Sequence, residues 1–159
     1  FLAGEGLMAA TGATLLQDPT VLALHGQRFV LTHGDALCLD DHDYMAFRAQ
    51  VRTPHWQQQF LAQPLAERQA VARGLREASE SRKRAASDHA DVDAPAAREW
   101  LAAAQAAVMI HGHTHKPATH DLGGGLQRVV LSDWDAAAQP PRLQVLRLGA
   151  AGLQRLVPG

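Results

Sequence analysis

The fold is decided by residues 107–115, which read Ala-Val-Met-Ile-His-Gly-His-Thr-His. The first four side chains are all apolar, which is typical of a short strand buried inside a sheet. Polar residues follow without a break, and Lys116-Pro117 indicates that the chain has left the strand and entered a loop. We therefore predict a strand over residues 107–110 that ends in a histidine-bearing loop.

The three histidines of this loop, His111, His113 and His115, are candidate metal ligands. Histidine is the commonest metal ligand because its neutral ring nitrogen is available at pH 7. Imidazoles two residues apart on a loop can converge on one or two divalent ions. The alternatives are a polar loop with no metal and an engineered tag, and a tag is not expected in mid-chain beside an apolar strand. Metal binding is the favoured interpretation.

A second predicted strand ends in the same way. Residues 28–32 form an apolar segment that is followed by His33-Gly34-Asp35, and they pair with residues 21–24 in a predicted hairpin. Placing a ligand at a strand end is a common way to build an α/β active site. By itself His33 is equally well explained as a structural histidine. Its occurrence beside the histidine loop favours a second contribution to the same site.

The bulk composition is that of an ordinary globular domain. The chain has 159 residues, 47% of them hydrophobic, and a formal net charge of −1, so nothing favours nucleic acid as a partner. Its single cysteine, Cys38, precludes an internal disulfide and suits a reducing compartment. No apolar stretch is long enough to span a membrane. The chain begins with Phe1 and has no secretion signal, so we expect it to be the remainder of a longer protein.

Residues 43–90 differ from the rest and predict a helical insertion. Pro54 and Pro64 divide its apolar residues into three groups. These apolar residues are expected to form core more often than a ligand pocket. They are Tyr44, Phe47, Trp56, Phe60, Leu61 and Leu65.

The remaining segments complete an α/β or α+β pattern. Residues 7–14 are interpreted as a helix end, and residues 95–107 as an alanine-rich helix with Pro95 in its first turn. Strands are predicted over 126–131, 143–148 and 153–157, and Gly123-Gly124-Gly125 as a flexible turn.

Polar residues outside the histidine loop have two interpretations each. Asp41 suits either a helix cap or a group that binds substrate near a metal. Ser79, Arg82 and Lys83 share one side of a predicted helix, which is either a solvated face or a phosphate-binding one.

A two-metal site also needs a bridging carboxylate. No such pattern occurs from Phe1 onward, so we expect those ligands to lie upstream.

Together these motifs resemble the calcineurin-like metallophosphoesterases. The Gly-His-Thr-His loop is specific for that superfamily, and the similarity runs through essentially the whole chain. The other segments narrow it to the branch that acts on UDP-2,3-diacylglucosamine in lipid A synthesis. The residues that carry the resemblance are His33-Gly34-Asp35, Asp40-Asp41, Arg76, Ser79, Lys83, the His111–Pro117 loop and the Arg128–Trp134 segment.

The resemblance implies an architecture and a set of site residues. The chain would be the C-terminal part of a four-layer αββα sandwich over 1–159, with a helical lid over 43–90 and the N-terminal metal-ligand segment missing. The implied metal ligands are His33, His113 and His115, with His111 a neighbour of the site. The implied substrate contacts are Asp41, Ser79, Lys83 and His113, and Arg82 or Arg84 would replace a basic contact that falls near Ala86.

The resemblance also implies an activity. Two Mn²⁺ ions would activate a water that attacks the α-phosphorus of the UDP-sugar lipid, giving UMP and 2,3-diacylglucosamine 1-phosphate (lipid X). The enzyme would be cytoplasmic and peripheral on the inner membrane of a Gram-negative bacterium. The alternatives are another calcineurin-like phosphodiesterase or nucleotide phosphatase, and an inactive fragment that lacks half of the metal site. A metallo-β-lactamase is disfavoured because Lys116 and Pro117 do not match its motif, His-x-His-x-Asp-His.

Overall fold

The computed structural model describes residues 2–85 and 91–157, without the side chains of residues 79–85. Its helices are α1 (Glu5–Thr11), α2 (His42–Val51), α3 (Pro54–Ala62), α4 (Leu65–Ala85) and α5 (Ala94–Ala104), with a short 3-10 turn at Asp35–Leu37. Its strands are β1 (Thr20–Leu24), β2 (Gln27–Thr32), β3 (Val108–His111), β4 (Thr119–Gly123), β5 (Leu126–Val130), β6 (Val145–Gly149) and β7 (Gly152–Leu156).

The chain divides into two compact units. The helical unit consists of Phe1–Leu15 and Leu39–Ala90, and the β unit consists of Leu16–Cys38 and Asp91–Gly159. All seven strands and α5 lie in the β unit, whereas α1 to α4 lie in the helical unit. No helix of the described residues is both long enough and apolar enough to cross a membrane.

A five-stranded sheet in the order β1-β2-β3-β5-β4 forms the centre of the β unit. The strands β2, β3 and β5 are parallel, while β1 and β4 pair antiparallel at the two edges. Thr32 pairs with His111 and His111 with Val130, so the three parallel strands end level with one another. Their carboxyl ends therefore bring the loops after β2 and β3 to the same edge.

Apolar side chains cover both faces of this sheet. On one face Phe29, Ile110 and Val129 form a buried cluster against leucines of the β6–β7 hairpin. On the other face α5 contacts β2, β3 and β5. Leu101 of that helix is fully buried, which stabilises the fold by about 2–3 kcal/mol. The helix, the sheet and the hairpin form three successive layers, which confirms the α/β (α+β) class.

Local signals explain where α5 begins and ends. Asp93 caps the helix by accepting a hydrogen bond from the Ala96 amide (2.7 Å), and Pro95 occupies the first turn. The helix ends at Ala104 because Gln105 adopts a left-handed conformation (φ 50°), so the prediction of helix to residue 107 was too long.

The hairpin of β1 and β2 and the strands β3, β5, β6 and β7 confirm the sequence predictions within a few residues at each end. Strand β4 was not predicted. Gly123-Gly124-Gly125, which was predicted to be a flexible turn, closes the ordered β4–β5 hairpin with positive φ angles at all three glycines. Helices α2, α3 and α4 lie within residues 43–90 apart from the first residue of α2, His42, which agrees with the predicted helical insertion.

Candidate metal centre at the carboxyl edge of the sheet

The parallel strands bring two of the predicted ligands side by side. The rings of His33 and His113 lie 5.1 Å apart between centroids in an edge-to-face arrangement, with planes at 71°. The loops that carry them are also joined through the backbone, because the Gly112 amide donates to the His33 carbonyl (3.2 Å). Residues separated by eighty positions in the sequence thus form one local structure.

Asp18 anchors the His33 loop and was not predicted from the sequence. Its carboxylate accepts hydrogen bonds from the Thr32 hydroxyl (2.5 Å) and from the His33 amide (3.3 Å). The Thr32 hydroxyl oxygen in turn accepts from the Gly34 amide (3.1 Å). An open groove of about 360 Å³ lies beside this loop. Its lining includes Leu16, Asp18, Leu31, His33, Ile110 and Leu131.

His113 lies at the centre of a very tight turn. The Thr114 amide donates to the Gly112 carbonyl (2.7 Å), which is the hydrogen bond of a γ-turn. His113 has φ 59° and His115 has φ 53°, and both angles are in the left-handed region. Such angles cost a non-glycine residue of order 1–3 kcal/mol and are concentrated at functional sites. The predicted ligands of this loop are thus held in backbone conformations that the surrounding structure must stabilise.

His111 occupies a different position from its two neighbours in the motif. It is the last residue of β3, it is fully buried, and its Nδ1 lies 2.9 Å from the Gly112 carbonyl oxygen. On the other side of the ring, Nε2 lies 3.2 Å from Nη1 of Arg128. The guanidinium of Arg128 can only donate, so Nε2 accepts and Nδ1 carries the proton that is donated to Gly112.

The conformation of Gly34 allows the His33 loop to pass directly over the His111 ring. Gly34 has φ 96°, and a Cβ built there would lie 2.7 Å from Nδ1 of His111. A contact this short would force a shift in the fully buried ring. Glycine is therefore required at this position both by its backbone angle and by the lack of space.

Arg128 is itself held by Asp91 in a bidentate ion pair. Its two terminal nitrogens donate to the two carboxylate oxygens over 2.7 and 3.0 Å. Burial raises the pKa of Asp91, but the hydrogen bonds from Arg128 and the Val92 amide and the charge of Arg128 outweigh it, so the pKa is below its usual value. The pair is therefore charged at neutral pH.

Burial keeps His111 neutral. The pKa of this imidazole is about 4, because burial and, to a smaller extent, the positive charge of Arg128 lower it, whereas the Gly112 carbonyl and Asp91 act in the opposite direction. A neutral ring beside a guanidinium acts as a hydrogen-bond acceptor and not as a second cation. His111 is thus a fixed structural link between Arg128 and the loop at Gly112.

His115 is near a second ion pair, which Asp133 and Arg142 form. Hydrogen bonds from Arg142 (2.8 and 2.9 Å) are the main cause of a lowered pKa at Asp133, burial opposes it, and the charges of Arg142 and His115 contribute to it. His115 is therefore near enough to Asp133 to act on it electrostatically. The sequence analysis included Asp133 only as part of the Arg128–Trp134 segment, without a role, and did not identify Arg142.

The donor set fits a partial metal site. Within residues 2–85 and 91–157, no group of three His, Cys, Asp or Glu side chains is close enough together to hold a metal ion. The adjacent imidazoles of His33 and His113 are nitrogen donors of the kind that divalent transition metals bind. His33 and His113 could therefore supply two ligands of a metal site whose other ligands come from other residues. They do not form a two-metal site by themselves.

Apart from His113, which is on the histidine loop of the β unit, the predicted substrate-binding residues belong to the helical unit. Asp41 caps α2, where its carboxylate accepts a hydrogen bond from the Tyr44 amide (3.0 Å), which confirms the helix-cap interpretation. Its substrate-binding role stays a prediction. Ser79, Arg82, Lys83 and Arg84 lie on α4, and their side chains are outside the described part of the structure, as is the whole of Ala86.

Comparison with known proteins gives the class of the chain. No protein-family profile matches it. It is 52% identical over 136 residues to the UDP-2,3-diacylglucosamine hydrolase of Chromobacterium violaceum, an alignment that covers 84% of the chain and 57% of the relative. It is 45% identical over 159 residues to the hydrolase of the same name from Bordetella pertussis, covering 97% of the chain and 62% of the relative. The hydrolase of that name from Cellvibrio japonicus is 46% identical over 138 residues, covering 84% and 58%.

These similarities confirm the resemblance to the metallophosphoesterase superfamily. Within it, the chain is homologous to proteins named UDP-2,3-diacylglucosamine hydrolase over most of its own length. It spans between 57% and 62% of the length of the three relatives described.

Proposed function

We propose that the protein containing this chain hydrolyses the pyrophosphate bond of UDP-2,3-diacylglucosamine. Water adds at the α-phosphorus, the bond between the two phosphates breaks, and the products are UMP and 2,3-diacylglucosamine 1-phosphate. The observation that carries the proposal is the 52% identity over 136 residues to a hydrolase named for this substrate. The paired histidines at the carboxyl edge of the sheet support it, because they supply ligands of the kind that such hydrolysis requires.

We propose that His33, His113 and His115 bind Mn²⁺, with two ions in the complete site. When bound, the ions would lower the pKa of a water molecule and offset negative charge on the phosphoryl oxygens. The chain's own residues would fix the ligand geometry. The Gly112–His33 hydrogen bond holds the two loops together, and Asp18 fixes the start of the His33 loop.

We further propose that the enzyme is cytoplasmic and works at the inner surface of the membrane. The support is the exposure of apolar side chains in the helical unit, since exposed apolar surface suits an acylated substrate or a lipid surface. Four large apolar residues of α3 and α4 are 40% or more exposed: Leu61, Leu65, Val71 and Leu75. In this proposal Asp41, Ser79 and Lys83 contact the polar part of the substrate, with Arg82 or Arg84 as a further cation.

The substrate is tested on the complete gene product that contains this sequence. Purified protein with Mn²⁺ is assayed on UDP-2,3-diacylglucosamine and, in parallel, on a simple aryl phosphodiester. We expect UMP release from the lipid substrate to be strongly preferred. Hydrolysis of the diester without hydrolysis of the lipid would contradict the proposal and favour another phosphodiesterase of the same superfamily.

The ligand roles are tested by substitution with glutamine, which keeps size and polarity but binds metals poorly. His33→Gln, His113→Gln and His115→Gln should each lower Mn²⁺ affinity and activity by about tenfold to a hundredfold or more. His25→Gln is the matched control, because His25 is exposed in the β1–β2 turn and shares the positive φ of the two loop histidines. An equal loss in the control would show that the effect is not specific to the site.

Calorimetry on the 159-residue chain tests whether the site is partial. The described histidines supply no bridging carboxylate, so we expect weak Mn²⁺ binding by this chain. Tight binding of two ions would show that these residues are sufficient for the site.

A further inference from the structure

His111 is the side chain through which both histidine-bearing loops are joined to the sheet. Its ring packs against Gly34 of the first loop, where an added Cβ would be 2.7 Å from Nδ1. Its Nδ1 contacts the Gly112 carbonyl of the second loop (2.9 Å), and its Nε2 contacts Arg128 on the neighbouring strand (3.2 Å). Its exposed fraction is 0%, so the ring is enclosed on all sides.

The carbonyl that His111 contacts is the one that closes the γ-turn at His113. The Gly112 oxygen accepts from the Thr114 amide (2.7 Å) and also from Nδ1 of His111. Because a carbonyl oxygen has two lone pairs, it can accept both hydrogen bonds at once. The orientation of the His111 ring is therefore coupled to the strained turn that presents His113.

Arg128 determines which nitrogen of His111 carries the proton. With Nε2–H, that ring nitrogen would direct a proton at the guanidinium, and the bare Nδ1 would face the Gly112 oxygen. Both contacts would then be repulsive. With Nδ1–H, both become hydrogen bonds. Asp91 holds the guanidinium in place through its two hydrogen bonds of 2.7 and 3.0 Å.

We propose that His111, oriented by Arg128 and Asp91, is a positioning residue that holds the γ-turn of His113 and the loop of His33 in a single arrangement. The proposal deepens the proposed function, because it assumes that these two loops carry metal ligands. His111 itself does not touch the metal or the substrate. Its effect passes through the Gly112 carbonyl and through the packing of Gly34.

Nuclear magnetic resonance on the metal-free, ¹⁵N-labelled chain tests this proposal directly. Long-range ¹H–¹⁵N spectra report the tautomer of each imidazole, and an NOE between the carbon-bound ring protons of His33 and His113 reports their contact. We expect His111 in the Nδ1–H form and a clear NOE between the two rings. A predominant Nε2–H form of His111 would overturn the proposal.

The decisive variants change the arginine and leave all the histidines in place. Arg128→Met removes the donor to Nε2, so we expect mixed tautomers of His111 and a severalfold weaker NOE between His33 and His113. Arg128→Lys keeps a cationic donor beside the ring and should restore most of the wild-type spectrum. An NOE of unchanged intensity in Arg128→Met would overturn the proposal.

Arg155→Met is the matched control for general destabilisation. Arg155 is a partly buried arginine of β7 that donates to the Ala118 and Val130 carbonyls (3.3 and 2.8 Å), so it also joins a loop to the sheet. It should lower stability without altering the tautomer of His111 or the NOE. Equal spectral changes in Arg155→Met and Arg128→Met would show that any loss of packing has this effect, and would overturn a specific role for His111.

Mn²⁺ affinity of the complete gene product separates this proposal from the proposed function. Arg128→Met should weaken binding by about tenfold to a hundredfold, the usual effect of losing a group that orients a ligand. Unchanged affinity in a protein whose wild type binds Mn²⁺ would overturn the positioning role. A wild type that shows the expected tautomer and NOE but binds no Mn²⁺ would support the positioning of the loops and contradict the proposed function.

Discussion

The Gly112 amide donates a hydrogen bond of 3.2 Å to the carbonyl of His33, and this contact joins the backbones of the two loops that carry the candidate ligands. It continues the parallel pairing of β2 with β3 by one step beyond Thr32 and His111, the last paired residues. The sheet itself therefore extends into the candidate site. Changes that disturb the end of β2 or β3 should be felt by both histidines together.

Replacement of Gly34 by alanine should be strongly destabilising. The new methyl group would be 2.7 Å from His111 Nδ1, and the backbone angle of 96° is unfavourable for any residue with a Cβ. Strain and overpacking together should cost about 3 kcal/mol in the free energy of unfolding, measured by urea denaturation. Gly26→Ala is the matched control, because Gly26 has φ 73° but open space around it, and it should cost only about 1 kcal/mol. Equal losses would show that the close approach to His111 does not matter.

Asp91→Asn should weaken the fold at neutral pH and have less effect in acid. The change removes the charge that pairs with the buried Arg128, at a cost of about 2 kcal/mol, moderated because the Asp91 side chain is 36% exposed. The pKa of Asp91 is lower in the folded than in the unfolded chain, so its contribution is present above the unfolded pKa of 3.8 and is lost as the pH falls through the folded value. Urea denaturation of both proteins at about pH 7 and about pH 3 should show the difference between them shrinking. A difference that does not change with pH would contradict this explanation.

His111 should make the metal-free chain less stable as the pH falls below about 6. Its pKa is about 4 in the folded chain against 6.5 for the unperturbed group, because burial disfavours the charged ring. The unfolded chain therefore takes up a proton first, and stability falls from about pH 6.5 to about pH 4 by at most roughly 3 kcal/mol. His111→Gln should lose this part of the pH dependence, as measured by urea denaturation across that range. A folded-state titration of the His111 ring protons near pH 6.5 would contradict the prediction.

Two substitutions at Asp41 separate its cap role from substrate binding. Asp41→Ala removes the acceptor for the Tyr44 amide and should cost about 1 kcal/mol in the free energy of unfolding. Asp41→Asn keeps a good cap and should change stability by only a few tenths of a kcal/mol. If the charge of Asp41 contacts substrate, Asp41→Asn will raise KM in the complete gene product while stability is preserved. An unchanged KM in Asp41→Asn would leave the carboxylate as a helix cap alone.

The sequence was sufficient to predict the parts of the site that depend on strand ends. Apolar residues 107–110 and 29–31 led to the prediction of β3 and β2, and the parallel pairing of these strands brings His33 and His113 together. Strand β4 was missed because its segment alternates polar residues with few apolar ones and follows Pro117. A partner on β5, and not its own composition, makes it a strand.

The groups that support the histidines could not be predicted. Arg128 and Asp91 are 37 positions apart, and nothing in either local sequence indicates that they pair. The one available signal was an arginine within the apolar run of β5, since a charge in such a strand needs a partner. Asp18 likewise reaches His33 only because the hairpin turns the chain back on itself.

The chain leaves the β unit after Cys38 and returns to it at Asp91. The backbone before and after this helical segment is joined by a hydrogen bond, which the Asp93 amide donates to the Leu37 carbonyl (2.8 Å). The helical segment thus begins and ends at nearly the same point, as a hairpin loop does. Closing a longer or shorter loop between such fixed ends changes the chain entropy only logarithmically with its length. This part of the protein is therefore free to vary in size, or to be exchanged for a related helical segment, while the strand register that aligns the histidines is kept.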